Sequence, residues 1–256
     1  MAITIKSERE IELMAEAGKI LERVHNELEK ALHPGMSTKD IDTLGEKIIR
    51  SYGCIPSFLN YNGYPASICV SVNQEVVHGI PDKHRIIHEG DIVSLDAGVI
   101  YKGYHSDAAR THAVGEVSEE AKKLIQVTKE CFFEGIKYAK AGNHLFDISG
   151  AIGRYAEERG YGVVRDLCGH GIGTALHETP EIPNYEVGRK GVKLRPGMTL
   201  AIEPMINIGT YEVDWLDDDW TVVTRDGSLS AHYENTILIT EGEPRILSLT
   251  LSLIHI

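Results

Sequence analysis

Residues 92–100 read Ile92-Val93-Ser94-Leu95-Asp96-Ala97-Gly98-Val99-Ile100, an apolar run that predicts a buried β-strand with one carboxylate inside it. Aspartate is depleted in strands, and a buried carboxylate without a partner costs several kcal/mol. A turn follows at Tyr101-Lys102-Gly103, and Asp107 comes eleven residues after Asp96. If the loop of this hairpin has an even number of residues, the side chains of Asp96 and Asp107 project from the same face.

Two more carboxylates interrupt apolar runs later in the chain. Glu203 lies in the run 198–205, and Glu234 lies in the run 232–239. We predict that both runs are strands. A single strand carboxylate is more often an edge residue or an ion-pair partner than a metal ligand. Four carboxylates in four apolar strands would repel one another strongly unless cations neutralise them.

A histidine completes the set of candidate ligands. His170 stands between glycines in Cys168-Gly169-His170-Gly171-Ile172-Gly173, where the backbone can approach closely. A histidine between glycines is more often an ordinary loop residue. Together with the four carboxylates, however, it forms a hard, oxygen-rich donor set that suits two divalent ions with bridging carboxylates.

The order of helices and strands predicts a mixed α/β (α+β) fold with antiparallel hairpins. Residues 54–66 are expected to form an aromatic-rich loop. Amphipathic helices are predicted at 7–32, 37–53, 118–140 and 143–159, and strands at 67–72, 91–100, 104–114, 198–207, 219–224 and 231–240.

A shift of 107 residues aligns structural signals in the two parts of the chain. It superposes Gly35 on Gly142, Gly53 on Gly160, Gly90 on Gly197 and Asp96 on Glu203. We interpret this as a duplicated unit whose two halves, about 1–115 and 116–248, face each other around a shared site. Residues 1–248 would then form a single catalytic domain, followed by an apolar tail at 249–256.

The amino-acid composition limits the kinds of binding partner and the cellular compartment that we expect. With 26 basic and 38 acidic residues the net charge is −12, which is opposite to that of a protein binding DNA through its overall field. The 4 cysteines form no CxxC pair, which fits a reducing compartment. Because we find no long apolar run and no secretory signal, we expect a cytoplasmic protein without a membrane partner.

The motifs around the candidate ligands resemble those of the methionine aminopeptidase family, type I bacterial form. His170 and Glu203 are only 33 positions apart, which leaves no space for the helical insertion of type II members. The resemblance implies the pseudo-two-fold "pita-bread" fold, an antiparallel sheet flanked by helices. The motifs are Val77-His78-Gly79-Ile80-Pro81, Leu95-Asp96-Ala97-Gly98, His105-Ser106-Asp107, Gly169-His170-Gly171-Ile172-Gly173, Leu176-His177-Glu178, Ile202-Glu203-Pro204-Met205 and Tyr233-Glu234-Asn235-Thr236.

The resemblance also implies roles for individual residues. Glu203 is expected to move protons, and His78 and His177 to act near the scissile amide. Without the resemblance, His78 would be interpreted as a turn residue, and the aromatic residues of the pocket as part of the hydrophobic core. The implied metal ligands are Asp96, Asp107, His170, Glu203 and Glu234, with Asp107 and Glu234 bridging. The implied methionine pocket is formed by Phe58, Tyr61, Tyr64, Cys69 and Trp220.

The implied activity is removal of the initiator methionine when the second residue is small, by attack of a hydroxide held between two divalent ions. The ligand types do not identify which of Co, Mn, Fe and Zn is bound. The expected partner is the N-terminal methionine of a nascent polypeptide near the ribosome, and the enzyme is expected to be a monomer. The alternatives are a proline-specific peptidase of similar fold and a binding protein that has lost catalysis.

Overall fold

The computed structural model describes residues 3–249 of the chain. Met1, Ala2 and residues 250–256 of the predicted tail lie outside the described residues. The helices are α1 Glu8–Ala31, α2 Thr38–Ser51, α3 Glu119–Ile136 and α4 Leu145–Glu157. The strands are β1 Ile55–Pro56, β2 Ile68–Val72, β3 Glu75–Val77, β4 Ile92–Tyr101, β5 Tyr104–Ala113, β6 Gly162–Val163, β7 Gly169–Gly171, β8 Glu178–Ile182, β9 Thr199–Ile202, β10 Met205–Asn207, β11 Val213–Trp215, β12 Val222–Thr224, β13 Ser230–His232, β14 Asn235–Leu238 and β15 Arg245–Ile246. Between residues 3 and 249, the helices are too short or too polar for any of them to cross a membrane.

The helices begin where local chemistry predicts. Ser7 caps α1 through its hydroxyl, and the Glu10 carboxylate accepts the Ser7 backbone N–H at 2.7 Å, which completes a capping box. Ser37 and Asp40 form the same arrangement at α2. The buried face of α1 packs on β4 and β5. The apolar side chains of α1 and α2 therefore form one core with the first long hairpin, and those of α3 and α4 form another with β9, β10, β13 and β14.

The long hairpin of β4 and β5 has the predicted geometry. Tyr101 pairs with Tyr104, so the turn contains only Lys102 and Gly103, both with positive φ. Asp107 is opposite Gly98, two residues from Asp96, and side chains two apart on a strand share a face. The prediction that both aspartates project from one face is confirmed.

The predicted strands 198–207 and 231–240 are wrong in one respect, because each is divided in two. Glu203 and Glu234 lie in the gaps and not within strands. Pro204 has no N–H to continue a ladder after Glu203. At Glu234 the chain changes neighbours, because β13 pairs with β10 whereas β14 pairs with β9.

Every strand pair is antiparallel among the described strands, in four sheets. β4 pairs with β5 on one edge and with β1 and β2 on the other. The second sheet has the order β13-β10-β6, the third β11-β12-β3 and the fourth β15-β14-β9-β7-β8. The predicted loop at 54–66 contains the short strand β1 and a 3-10 turn at Tyr61–Gly63.

The 107-residue relation has structural counterparts. Shifted by 107, the first residue of α2 falls on the first residue of α4. The isolated bridge Ser37–Ile86 corresponds to the bridge His144–Lys193. Gly35 and Gly142 share nearly the same left-handed φ, 94° and 95°. These matches support our proposal of one domain built from two related halves.

Candidate metal centre and substrate cavity

The five candidate ligands reach one cavity of about 200 Å³ from different elements. Asp96 and Asp107 come from β4 and β5, His170 from β7, and the two glutamates from the gaps before β10 and β14. The His170 Nε2 atom is 3.5 Å from Glu203 Oε1 and 3.9 Å from Asp107 Oδ2. Donor atoms of Asp107, His170 and Glu234 all lie within 4.8 Å of one another. Residues distant in sequence thus form one cluster.

The carboxylates in this cluster are electrostatically frustrated. Burial raises the pKa of Asp96, Glu203 and Glu234 well above the usual range, and repulsion from neighbouring carboxylates raises it further. Burial also raises the pKa of Asp107, to about 7. One buried oxygen on each of Asp96, Asp107 and Glu234 has no hydrogen-bond partner among the described residues. Divalent cations would satisfy these oxygens and neutralise the repulsion.

The orientation of His170 also fits a metal ligand. Its Nδ1 atom donates to the Gly171 carbonyl oxygen at 2.9 Å, which leaves the Nε2 lone pair facing the carboxylates. Burial lowers the pKa of His170 to about 3, so the ring is neutral. A Cβ at Gly169 would lie 2.4 Å from the Ala201 oxygen, which explains why glycine precedes the histidine. This donor set therefore fits hard or borderline divalent metal ions.

His232 lies beside two of the carboxylates and was not predicted as a site residue. This residue is 1% exposed, and neither of its ring nitrogens has a hydrogen-bond partner among the described residues. Its Nε2 atom lies 3.9 Å from Glu203 Oε2 and 4.0 Å from Glu234 Oε2. The available signal was its position two residues before Glu234, but the break in the strand hid which direction it faces.

The two other predicted histidines also line the cavity. His177 is exposed at the mouth, where its Nδ1 atom is 2.8 Å from the Tyr61 hydroxyl. Its ring packs edge-on against His170, with centroids 4.2 Å apart. His78 has a left-handed backbone (φ 60°) and packs edge-on against Trp220. Both histidines border the space between the carboxylates and solvent.

The predicted pocket residues form an apolar wall beside the carboxylates. Tyr64 packs edge-on against Trp220 with centroids 5.1 Å apart, and its hydroxyl donates to the Gly79 oxygen at 2.9 Å. A Cβ at Gly98 would lie 2.9 Å from the Phe58 ring, so the glycine makes space for that ring. The lining includes the predicted Phe58, Tyr61, Tyr64, Cys69 and Trp220, and also Asn62, Val77, Leu167, Cys168, Leu176 and Met205, which were not predicted as site residues.

Residues 12–241 match the model of metallopeptidase family M24. The chain belongs to this family. The M24 chain is 59% identical to a methionine aminopeptidase of Clostridium acetobutylicum over 96% of its own length and 99% of the relative. It is 51% identical to methionine aminopeptidase 1 of Bacillus subtilis, over 93% of this chain and 96% of the relative.

Solved structures agree with this assignment to M24. The crystal structure of methionine aminopeptidase from Thermotoga maritima has a TM-score of 0.95 and 47% identity, covering 97% of this chain and 100% of the other. The predicted family and its pita-bread fold are thereby confirmed. As a metallopeptidase, the chain is a metal-dependent hydrolase.

Metal binding should release protons and stabilise the fold. Because the carboxylates hold protons more strongly than usual without metal, we expect Mn²⁺ added to chelator-treated protein to displace protons and to bind more tightly as pH rises from 6 to 7.5. At 100 times Kd the Tm should rise by roughly 5–10 °C. Isothermal titration in two buffers of different ionisation enthalpy measures the protons. Equal heats in both buffers would contradict the raised pKa values.

Proposed function

We propose that this chain removes the N-terminal methionine from peptides and nascent polypeptides whose second residue is small, using two divalent ions. The observation that carries the proposal is a single cavity in which a metal-type donor set adjoins an apolar pocket lined by aromatic rings and a thiol. The methionine aminopeptidase relatives support the substrate, and the metallopeptidase family supports the metal dependence.

The residues that would hold the ions are Asp96, Asp107, His170, Glu203 and Glu234. When bound, the ions supply Lewis acidity and a reactive nucleophile derived from water at neutral pH. The protein contributes the ligands that hold the ions. The residues that carry the oxygens without a partner in the described part of the chain, and the neutral His170 ring, already line the cavity, so little reorganisation would accompany metal binding.

Glu203 is the proposed proton carrier. It is the carboxylate in contact with both His170 and His232, at 3.5 and 3.9 Å. In the proposed reaction, Glu203 would take a proton from the attacking water as that water adds to the carbonyl carbon. The proton then goes to the leaving amine as the peptide bond breaks.

His177 is the proposed donor to the carbonyl oxygen of the scissile bond. If the Tyr61 hydroxyl donates to Nδ1, the ring proton is on Nε2 and is free to point into the cavity. Desolvation lowers the pKa of His177, so the ring acts as a neutral donor. Such a fixed donor stabilises the charge that develops on the oxygen in the transition state.

The apolar wall explains why the cavity would bind a methionine side chain. Tyr64, Cys69 and Trp220 surround the space with polarisable groups, and each thioether–aromatic contact is worth about 0.3–1.5 kcal/mol. The exposed His177 and Asn62 mark the mouth, through which the rest of the substrate must leave. This arrangement is suited to a chain terminus and not to an internal segment.

The deciding experiment compares three peptides with chelator-treated and metal-loaded protein. We expect release of methionine from Met-Ala-Ser only with metal, and far slower cleavage of Leu-Ala-Ser and Ala-Pro-Ser. Preferential cleavage of the proline peptide would identify a proline-specific peptidase instead. Stoichiometric metal binding without cleavage of any of the three would identify a binding protein.

A further inference from the structure

The segment that carries His177 connects β7 to β8 and has little regular structure of its own. Near its start, the Gly173 oxygen accepts the His105 backbone N–H at 2.8 Å. Gly173 N–H donates to the Ala175 oxygen at 3.1 Å, which tightens the turn. On its far side His177 is followed directly by Glu178, the first residue of β8. The position of His177 therefore depends on what holds Glu178.

Glu178 is held by an ion pair with a residue distant in sequence. Its Oε2 atom accepts from Lys6 Nζ at 2.6 Å and from the Thr4 hydroxyl at 2.6 Å. The side chains of Lys6 and Glu178 are only 4% and 12% exposed. Burial alone would raise the pKa of Glu178, but the hydrogen bonds from Lys6 and Thr4 lower it below the usual range. The carboxylate is thus charged and fixed.

Lys6 is itself immobilised before α1 begins. Its backbone N–H donates to the Gly197 oxygen at 2.8 Å, which joins the N-terminal segment to the turn before β9. Its side chain passes directly beneath the His177 segment, since a Cβ added at Gly173 would lie 2.4 Å from Lys6 Cε. The ammonium group therefore lies beside Gly173 at one end of the segment and pairs with Glu178 at the other.

The ion pair between Lys6 and Glu178 is too buried for water to take the place of either partner. Without Lys6, the Glu178 carboxylate would lose its counter-charge in a site with little access to water, which is strongly unfavourable. The carboxylate would turn toward solvent and displace the start of β8. His177 is the adjacent residue, and its hydrogen bond to Tyr61 would be the first contact to change.

We propose that Lys6 and Glu178 form a positioning pair that fixes the His177 ring for the reaction. This inference rests on the proposed function and extends it to two residues outside the cavity. Neither residue lines the cavity that holds the proposed metal ligands and the apolar wall. The pair should therefore affect the chemical step and leave metal and substrate binding almost unchanged.

The first test is Lys6→Met, which keeps the length of the side chain and removes its charge. We expect kcat for Met-Ala-Ser to fall about tenfold, because small displacements of an acting group have large effects on rate. KM and the Mn²⁺ dissociation constant should stay within about twofold, and Lys6→Arg should restore most of the activity. Lys122→Met breaks an exposed ion pair with Glu119 and is the matched control, with kcat as in wild type.

The decisive test repeats Lys6→Met in a His177→Ala background. If Lys6 acts through His177, the second substitution should lower kcat no further. Equal losses in both backgrounds, or no loss in either, would overturn this inference alone. An unchanged kcat in His177→Ala by itself would overturn the proposed role of His177 and this inference together. Glu178→Gln should reproduce the kcat loss, and it carries the same test where Lys6→Met does not fold.

Discussion

Glu203→Ala should lower kcat for Met-Ala-Ser by about 10³-fold or more. The Glu203 side chain has two proposed roles, proton transfer and metal ligation, and the substitution removes both. The structure gives this residue contacts with His170 and His232 on its two oxygens. Removing it should also lower metal content, since one of five donors is absent. Steady-state kinetics together with elemental analysis of the dialysed protein measures both effects.

Glu181→Ala is the matched control for this experiment. Glu181 is an exposed carboxylate on β8, opposite His170 in the ladder, and it does not line the cavity. Its removal should leave turnover and metal content near wild type. A Glu203→Ala enzyme with normal turnover would show that the site has been assigned to the wrong residues.

His177→Ala should lower kcat by about 10²-fold while metal content remains that of wild type. The reason is that His177 faces the cavity mouth and contacts the ring of His170, but is not one of the proposed donors to metal. Because a transition-state contact is lost, kcat and kcat/KM should fall together with little change in KM.

An exposed histidine provides the comparison for His177. His88 has a side chain that is 75% exposed, and His88→Ala should retain full activity. The informative measurement is metal content, determined in the same preparations as the kinetics. If His177→Ala lost its metal, the residue would be a ligand and the proposed division of roles would be wrong.

Local patterns were sufficient for part of this architecture. The predicted helix starts at residues 7 and 37 coincide with the capping boxes at Ser7 and Ser37, which use contacts within one turn of helix. The shared face of Asp96 and Asp107 followed from a two-residue turn and the period of a strand. Both results depend only on residues close together in the chain.

The remainder depended on contacts between distant residues. Glu203 and Glu234 fall in strand breaks because β9, β10, β13 and β14 exchange partners there, and no local periodicity records an exchange of partners. The same break hid the orientation of His232. The link from Lys6 to Glu178 spans 172 residues, so no window of sequence could indicate it.

The proposed donor set is divided between the two proposed halves of the chain. Asp96 and Asp107 belong to the first half, and His170, Glu203 and Glu234 belong to the second. Neither half alone contains all five proposed donors. If the proposed halves arose by duplication, an ancestor the size of one half would have needed to associate with an identical copy to form such a site, and fusion of the two copies would have made the site independent of protein concentration.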